Sequence, residues 1–153
     1  MNRAIFLRHA VAVAATLALA SCSHIGLSGD SGMTETYTAT LTARDEVPPA
    51  ADSQGHGTAV VHVDSKAGEI SYKVSWSGLT GPATAGHIHG PATPGNNAGV
   101  AVPFPGVAGQ SSVEGKAKIT PVQYRALASG TWYVNIHTAK HPGGEIRGQL
   151  TRQ

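Results

Sequence analysis

From residue 36 onward, apolar side chains recur at every second position in short runs, the period of a half-buried strand. Tyr37, Ala39, Leu41 and Ala43 alternate with threonine over residues 36–43. Residues 58–63 form a second run. Over 69–76 the alternation is cleanest, with Ile70, Tyr72, Val74 and Trp76 on one face and Glu69, Ser71, Lys73 and Ser75 on the other. Further runs surround His87, cover 112–119 through Val113, Ala117 and Ile119, and close the chain at 131–138 and 144–151. Clusters of Gly, Pro, Asp and Asn separate them, including the turn Asp64–Gly68 and a long loop over 90–109 that carries a short Val100-Ala101-Val102 run. One helix breaks the pattern, near 121–128. Thr120 suits its N-cap, Pro121 its first turn, Gln123 a capping box and Gly130 its end. These elements predict an all-β fold, a single antiparallel Greek-key sandwich of seven or eight strands with one short helix.

The start of the chain has a different character. Arg3 and Arg8 precede an apolar run, Ala10 to Ala20, that is too short to span a bilayer and suits an export signal. It ends in Leu19-Ala20-Ser21-Cys22, which resembles a bacterial lipobox. That resemblance implies a lipoprotein signal peptide over 1–21, cleavage before Cys22, acylation of Cys22 and anchoring to the envelope membrane. The alternative is an ordinary signal peptide with an incidental Cys. Ser23, rather than Asp, follows the Cys, so the expected destination in a Gram-negative host is the outer membrane. Residues 22–35, rich in Gly and Ser, read as the lipidated Cys and a flexible tether, leaving 36–153 as one domain.

Cys22 is the sole cysteine, so the domain has neither an internal disulfide nor a thiolate metal site. Removing Arg3 and Arg8 from the eleven Lys and Arg residues leaves nine, against nine Asp and Glu. A near-neutral domain without a basic stripe argues against nucleic acid as a partner.

Chemistry concentrates in two segments about fifty residues apart, Ala85-Gly86-His87-Ile88-His89-Gly90-Pro91 and Trp132 to Leu150. If Ile88 and Ile136 face the core, His87, His89 and His137 lie on the opposite faces of their strands, together with Tyr133 and Asn135. Neighbouring strands would then bring three imidazoles to one side, a donor set suited to copper first and zinc second. His141, four residues past His137, is a possible fourth ligand. Glu145 and Arg147 are expected either to orient the His137 loop as a polar pair or to pin the last strand as an ion pair. The bland alternative for the histidines is that they are satisfied structural residues. His56 and His62 read as solvent-facing only, and the 90–109 loop as either a binding edge or a mobile cover with no ligand.

The same segments, with Tyr37-Thr38-Ala39-Thr40-Leu41 and Glu46-Val47-Pro48-Pro49, resemble the CHRD domain, a module named after chordin and found in bacterial secreted proteins. The resemblance spans roughly 36–151 and implies no defined activity. A fainter similarity links the order His87, His89, His137, Arg147 to the copper-zinc superoxide dismutases. The loop from Gly90 to Gly109 lacks the His and Asp that a bridging ligand and a zinc site require, and the disulfide of those enzymes is missing.

Three functions follow as expectations. The first is an envelope-anchored copper module for storage, sequestration or delivery, which would release its ion as imidazoles protonate near their ordinary pKa of about 6.5. The second is a non-metal module that binds an envelope protein or matrix polymer. The third is a copper-only dismutase-like enzyme. No serine sits in a nucleophile elbow and no carboxylate pair flanks a His, so hydrolysis is not expected.

Overall fold

The computed structural model describes residues 34–153, and the readings for the signal peptide, Cys22 and most of the tether lie outside the described residues. Nine strands and one helix follow in chain order: β1 (Thr34–Thr42), β2 (His56–Asp64), β3 (Glu69–Ser77), β4 (Ala83–His89), β5 (Val100–Pro103), β6 (Ser112–Lys118), α1 (Pro121–Ala128), β7 (Tyr133–Thr138), β8 (Ile146–Gln149) and β9 (Thr151–Arg152). Thr34 and Glu35, expected in the tether, belong to β1 because they extend its ladder against Asp64 and Val63. The count is nine because the last expected strand breaks at Leu150 into β8 and β9 and because Val100–Pro103 pairs with β4.

All pairings are antiparallel, and the hydrogen-bonded order is β5-β4-β7-β8-β1-β2-β3-β6, with β9 also on β1. The sheet curls into a barrel-like sandwich. Alternation explains its inner face: Tyr37, Ala39 and Leu41 of β1, Ala59, Val61 and Val63 of β2, and Ile70, Tyr72, Val74 and Trp76 of β3 are all buried. The register stacks them in rows, Tyr37 beside Val61 and Val61 beside Tyr72, the cross-strand contact that stabilises a sheet. Phe104, just past β5, packs on Tyr72 of β3 with ring centroids 4.5 Å apart, bringing the two ends of the strand order together.

The helix has the predicted bounds. Thr120 Oγ1 accepts from the Gln123 amide at 3.2 Å while Gln123 Oε1 accepts from the Thr120 amide at 2.9 Å, the two halves of a capping box. Gly130 leaves the last turn at φ 71°, a left-handed conformation that favours glycine. No helix among the described residues is long and apolar enough to cross a membrane.

Every residue of β7 is buried, on both faces. Trp132, Val134 and Ile136 enter the core, and the 90–99 loop covers the other side. That loop is tied down by hydrogen bonds from Ala92 N to Thr131 O (2.8 Å), from Ala98 N to Tyr133 Oη (3.2 Å), from Gln149 Nε2 to Ala92 O (3.0 Å) and from Asn97 Nδ2 to Val47 O (3.0 Å). The segment is a cover, but these bonds fix it in place where a mobile one was expected.

Candidate metal centre

β4 and β7 are neighbours, with His87 opposite Asn135, His89 opposite Tyr133 and Ala85 opposite His137. Since Ile88 and Ile136 are fully buried in the core, the three histidines emerge together on the other side. Their rings lie 4.9 Å (His87–His137), 5.3 Å (His87–His89) and 6.3 Å (His89–His137) apart between centroids. One ligand nitrogen from each falls within 4.8 Å of the other two, so the cluster can hold a metal ion.

Backbone carbonyls orient two of the rings. His89 Nδ1 lies 2.9 Å from Ala98 O, and His137 Nδ1 lies 3.0 Å from Pro142 O. A carbonyl only accepts, so each Nδ1 carries hydrogen, and the neutral form of each ring presents a bare Nε2. His137 Nε2 is 3.0 Å from His87 Nδ1. His89 Nε2 is 3.0 Å from Asn135 Oδ1. His89 also stacks on Tyr133, with centroids 4.9 Å apart and planes 5° from parallel, and the Arg147 guanidinium sits 3.4 Å from the same ring's centroid. The three planar groups form one stack across β4, β7 and β8, which fixes the tilt of the His89 ring.

Charge is disfavoured on His87 and His137. Burial, reinforced by His137 and His89, depresses the His87 pKa to about 4. Burial also lowers that of His137, against the pull of its bond to Pro142 O. Both are neutral at pH 7, the form that ligates metal.

His141, read as a possible fourth ligand, is not in the cluster. Its amide donates to Thr138 Oγ1 at 3.2 Å and its carbonyl accepts from the amides of Thr138 and Gly144, a tight turn that aims the ring away. Its Nε2 lies 3.2 Å from Asp52 Oδ1 without hydrogen-bond geometry, so that contact is electrostatic.

Glu145 and Arg147 do not pair with each other. Glu145 precedes β8 and accepts from Ser53 Oγ (2.6 Å), Thr80 N (2.7 Å), Thr80 Oγ1 (2.8 Å) and Thr138 Oγ1 (2.6 Å). Burial opposes its charge, but these donors outweigh burial and hold its pKa below the ordinary carboxylate value. Because Thr138 also receives the His141 amide, Glu145 secures the turn that carries Pro142 O behind His137. Arg147 instead donates to Asn97 Oδ1 at 2.9 Å and to Asn96 O, clamping the cover loop. His56 and His62 are exposed, as expected, and bond Ser77 Oγ and Thr36 Oγ1 at 3.0 Å each.

Three residues at the site were given no role from sequence: Tyr133, Asn135 and Glu46. For the first two the signal was present, since alternation places them on the His137 face. Glu46 gave none, because a glutamate in a Pro-rich loop ordinarily faces water. Here it is 4% exposed. Burial raises its pKa, opposed by the Val47 amide, Arg147 and Asn135. Asn135 faces it outside good hydrogen-bond geometry, so Glu46 Oε1 gains from the amide dipole yet has no hydrogen bond. Gly144 permits this packing, for a Cβ there would lie 2.3 Å from Glu46 Oε1 and 2.8 Å from Asn135 Nδ2.

No curated protein and no solved structure matches the chain. A family model does, the CHRD domain, over residues 37–150. That match takes in most of β1, the Glu46 loop, the cover loop and all three clustered histidines, and the chain belongs to the CHRD domain family.

Proposed function

We propose that this domain is an envelope-anchored metal-binding module that takes copper, with zinc second, through His87, His89 and His137. The observation that carries the reading is the pair of carbonyl-anchored imidazoles: Ala98 O and Pro142 O hold the Nδ1 hydrogens of His89 and His137, leaving Nε2 bare in a cluster whose ligand atoms lie within 4.8 Å. Outer hydrogen bonds of this type fix tautomer and ring orientation at metal sites. An all-imidazole set without thiolate suits copper and zinc, and copper leads in affinity. His87, the least buried of the three, is the side from which an ion enters. Storage, sequestration or delivery of the ion, with the domain tethered through acylated Cys22, is the role that fits a site without catalytic groups.

Protein purified without a histidine tag, analysed for metal and then titrated with Cu2+ at pH 7.5, tests this. The expected result is one ion per chain, lost in a His87→Ala/His89→Ala double variant. Equal affinity in that variant removes the reading.

One observation favours the second function, a non-metal interaction module. His87 Nδ1 and His137 Nε2 stand 3.0 Å apart, so a hydrogen bond satisfies them without any ion. Pull-down from envelope extract in metal-free buffer separates the two. An unchanged partner set with the double variant supports the interaction module.

A further inference from the structure

The amide of Asn135 occupies an unusual place. In the ladder it stands directly opposite His87, and on its own strand it lies between Tyr133 and His137. Its Oδ1 is 3.0 Å from His89 Nε2. His89 Nδ1 lies 2.9 Å from Ala98 O, so Nε2 is the ring nitrogen turned to the cluster, beside that amide oxygen.

Glu46 sets which way the amide is turned. The buried carboxylate lies on the far side, where Asn135 Nδ2 faces it. A carboxyl oxygen is best matched by an N–H donor, so the amide nitrogen takes that side. The orientation is therefore set from behind, with oxygen toward the histidines. The spacing fits ligation as well. Two donors about 2.0 Å from one ion, at tetrahedral or right angles, stand about 2.8–3.3 Å apart. Both the His87–His137 and the His89–Asn135 pairs meet that distance, at 3.0 Å each. Glu46 Oε1, buried without a hydrogen bond, gains a counter-charge once a dication sits beyond the amide.

Resting on the three-histidine reading, we infer that Asn135 Oδ1 is the fourth ligand of the ion and that Glu46 is the positioning residue that holds it there. The set is then three imidazole nitrogens and one amide oxygen, closed on the protein side.

Cu2+ alone serves as the probe, titrated against a competing chelator, with pulsed EPR in D2O counting coordinated water. Asn135→Leu is expected to weaken binding about tenfold or more and to admit one additional exchangeable water. Glu46→Gln is expected to weaken binding by a smaller factor, because a neutral amide no longer fixes the orientation of Asn135. Unchanged affinity and water count in Asn135→Leu overturn the inference while leaving the three histidines as ligands. Tighter binding also overturns it, since Asn135 would then be a competitor for His89. Should Asn135→Leu fail to fold, Glu46→Gln decides, and wild-type affinity in that variant overturns the inference. Absence of copper uptake by the wild type removes this inference together with the three-histidine site.

Discussion

At the scale of single residues, the cluster behaves differently from free imidazole. The ordinary pKa of His is about 6.5, whereas His87 is held at about 4 by burial and by its two neighbours. A depressed pKa means that the folded state disfavours the proton. Stability from this group is therefore full above about pH 6.5 and falls as pH drops from there toward the folded value. His137 shifts in the same direction. Metal-free protein is expected to lose thermal stability between pH 6.5 and 4, with a ceiling of about 3 kcal/mol for His87, lessened by its partial exposure to solvent. Melting curves across that range, compared with His87→Gln, check it. A variant that melts with an unchanged pH profile would sink the attribution. Copper retention follows the same logic. Release is expected below about pH 5 rather than near 6.5, because less competition from protons must be overcome. Equilibrium dialysis against a pH series measures it.

At the scale of elements, the alternation of β7 was legible and its burial was not. Period-two reading puts Tyr133, Asn135 and His137 on one face and Trp132, Val134 and Ile136 on the other, which is what forms. That face looks exposed in sequence because its residues are polar. It is buried because the 90–99 loop folds back over β7 and β8, held by Arg147, Gln149 and Tyr133. The Glu145 turn is a second case. Glu145→Ala is expected to destabilise the domain by about 2–4 kcal/mol, since Ser53, the Thr80 amide and Thr138 would be left without their buried acceptor. Chemical denaturation gives that value. The same variant should weaken Cu2+ binding, because the turn presenting Pro142 O to His137 loses its tie through Thr138. Normal affinity in a folded Glu145→Ala protein would separate the turn from the site.

At the scale of the whole molecule, the curled sheet assigns one region to each job. β1, β2 and β3 each bury one face in the core, while β4, β7 and β8 bury one face there and carry the polar site under a loop on the other. Phe104 on Tyr72 joins the two ends of the sheet, and Phe104→Ala is expected to cost about 3–5 kcal/mol as a buried aromatic truncated to a cavity, read from denaturant midpoints. Membrane attachment is the other expectation at this scale. Cys22→Ala should move the protein from the membrane fraction to the soluble one and abolish labelling with radioactive fatty acid. Persistence in the membrane fraction with no label would point to a different anchor.

What the chain by itself determined was local. Strand periodicity, the Thr120 capping box and the shared face of His87 and His89 depend on neighbours one to four positions away, and side-chain direction follows from backbone period alone. What only the tertiary structure decided was non-local. The pairing of β4 with β7 across some fifty residues brought His137 to His87. The turn of Ala139–Gly144 sent His141 to Asp52 instead. Glu46 became a buried partner of Asn135 because Gly144, almost a hundred residues on, leaves room where any Cβ would collide. Burial depends on which distant segment comes to cover a residue, and no period in the sequence encodes that.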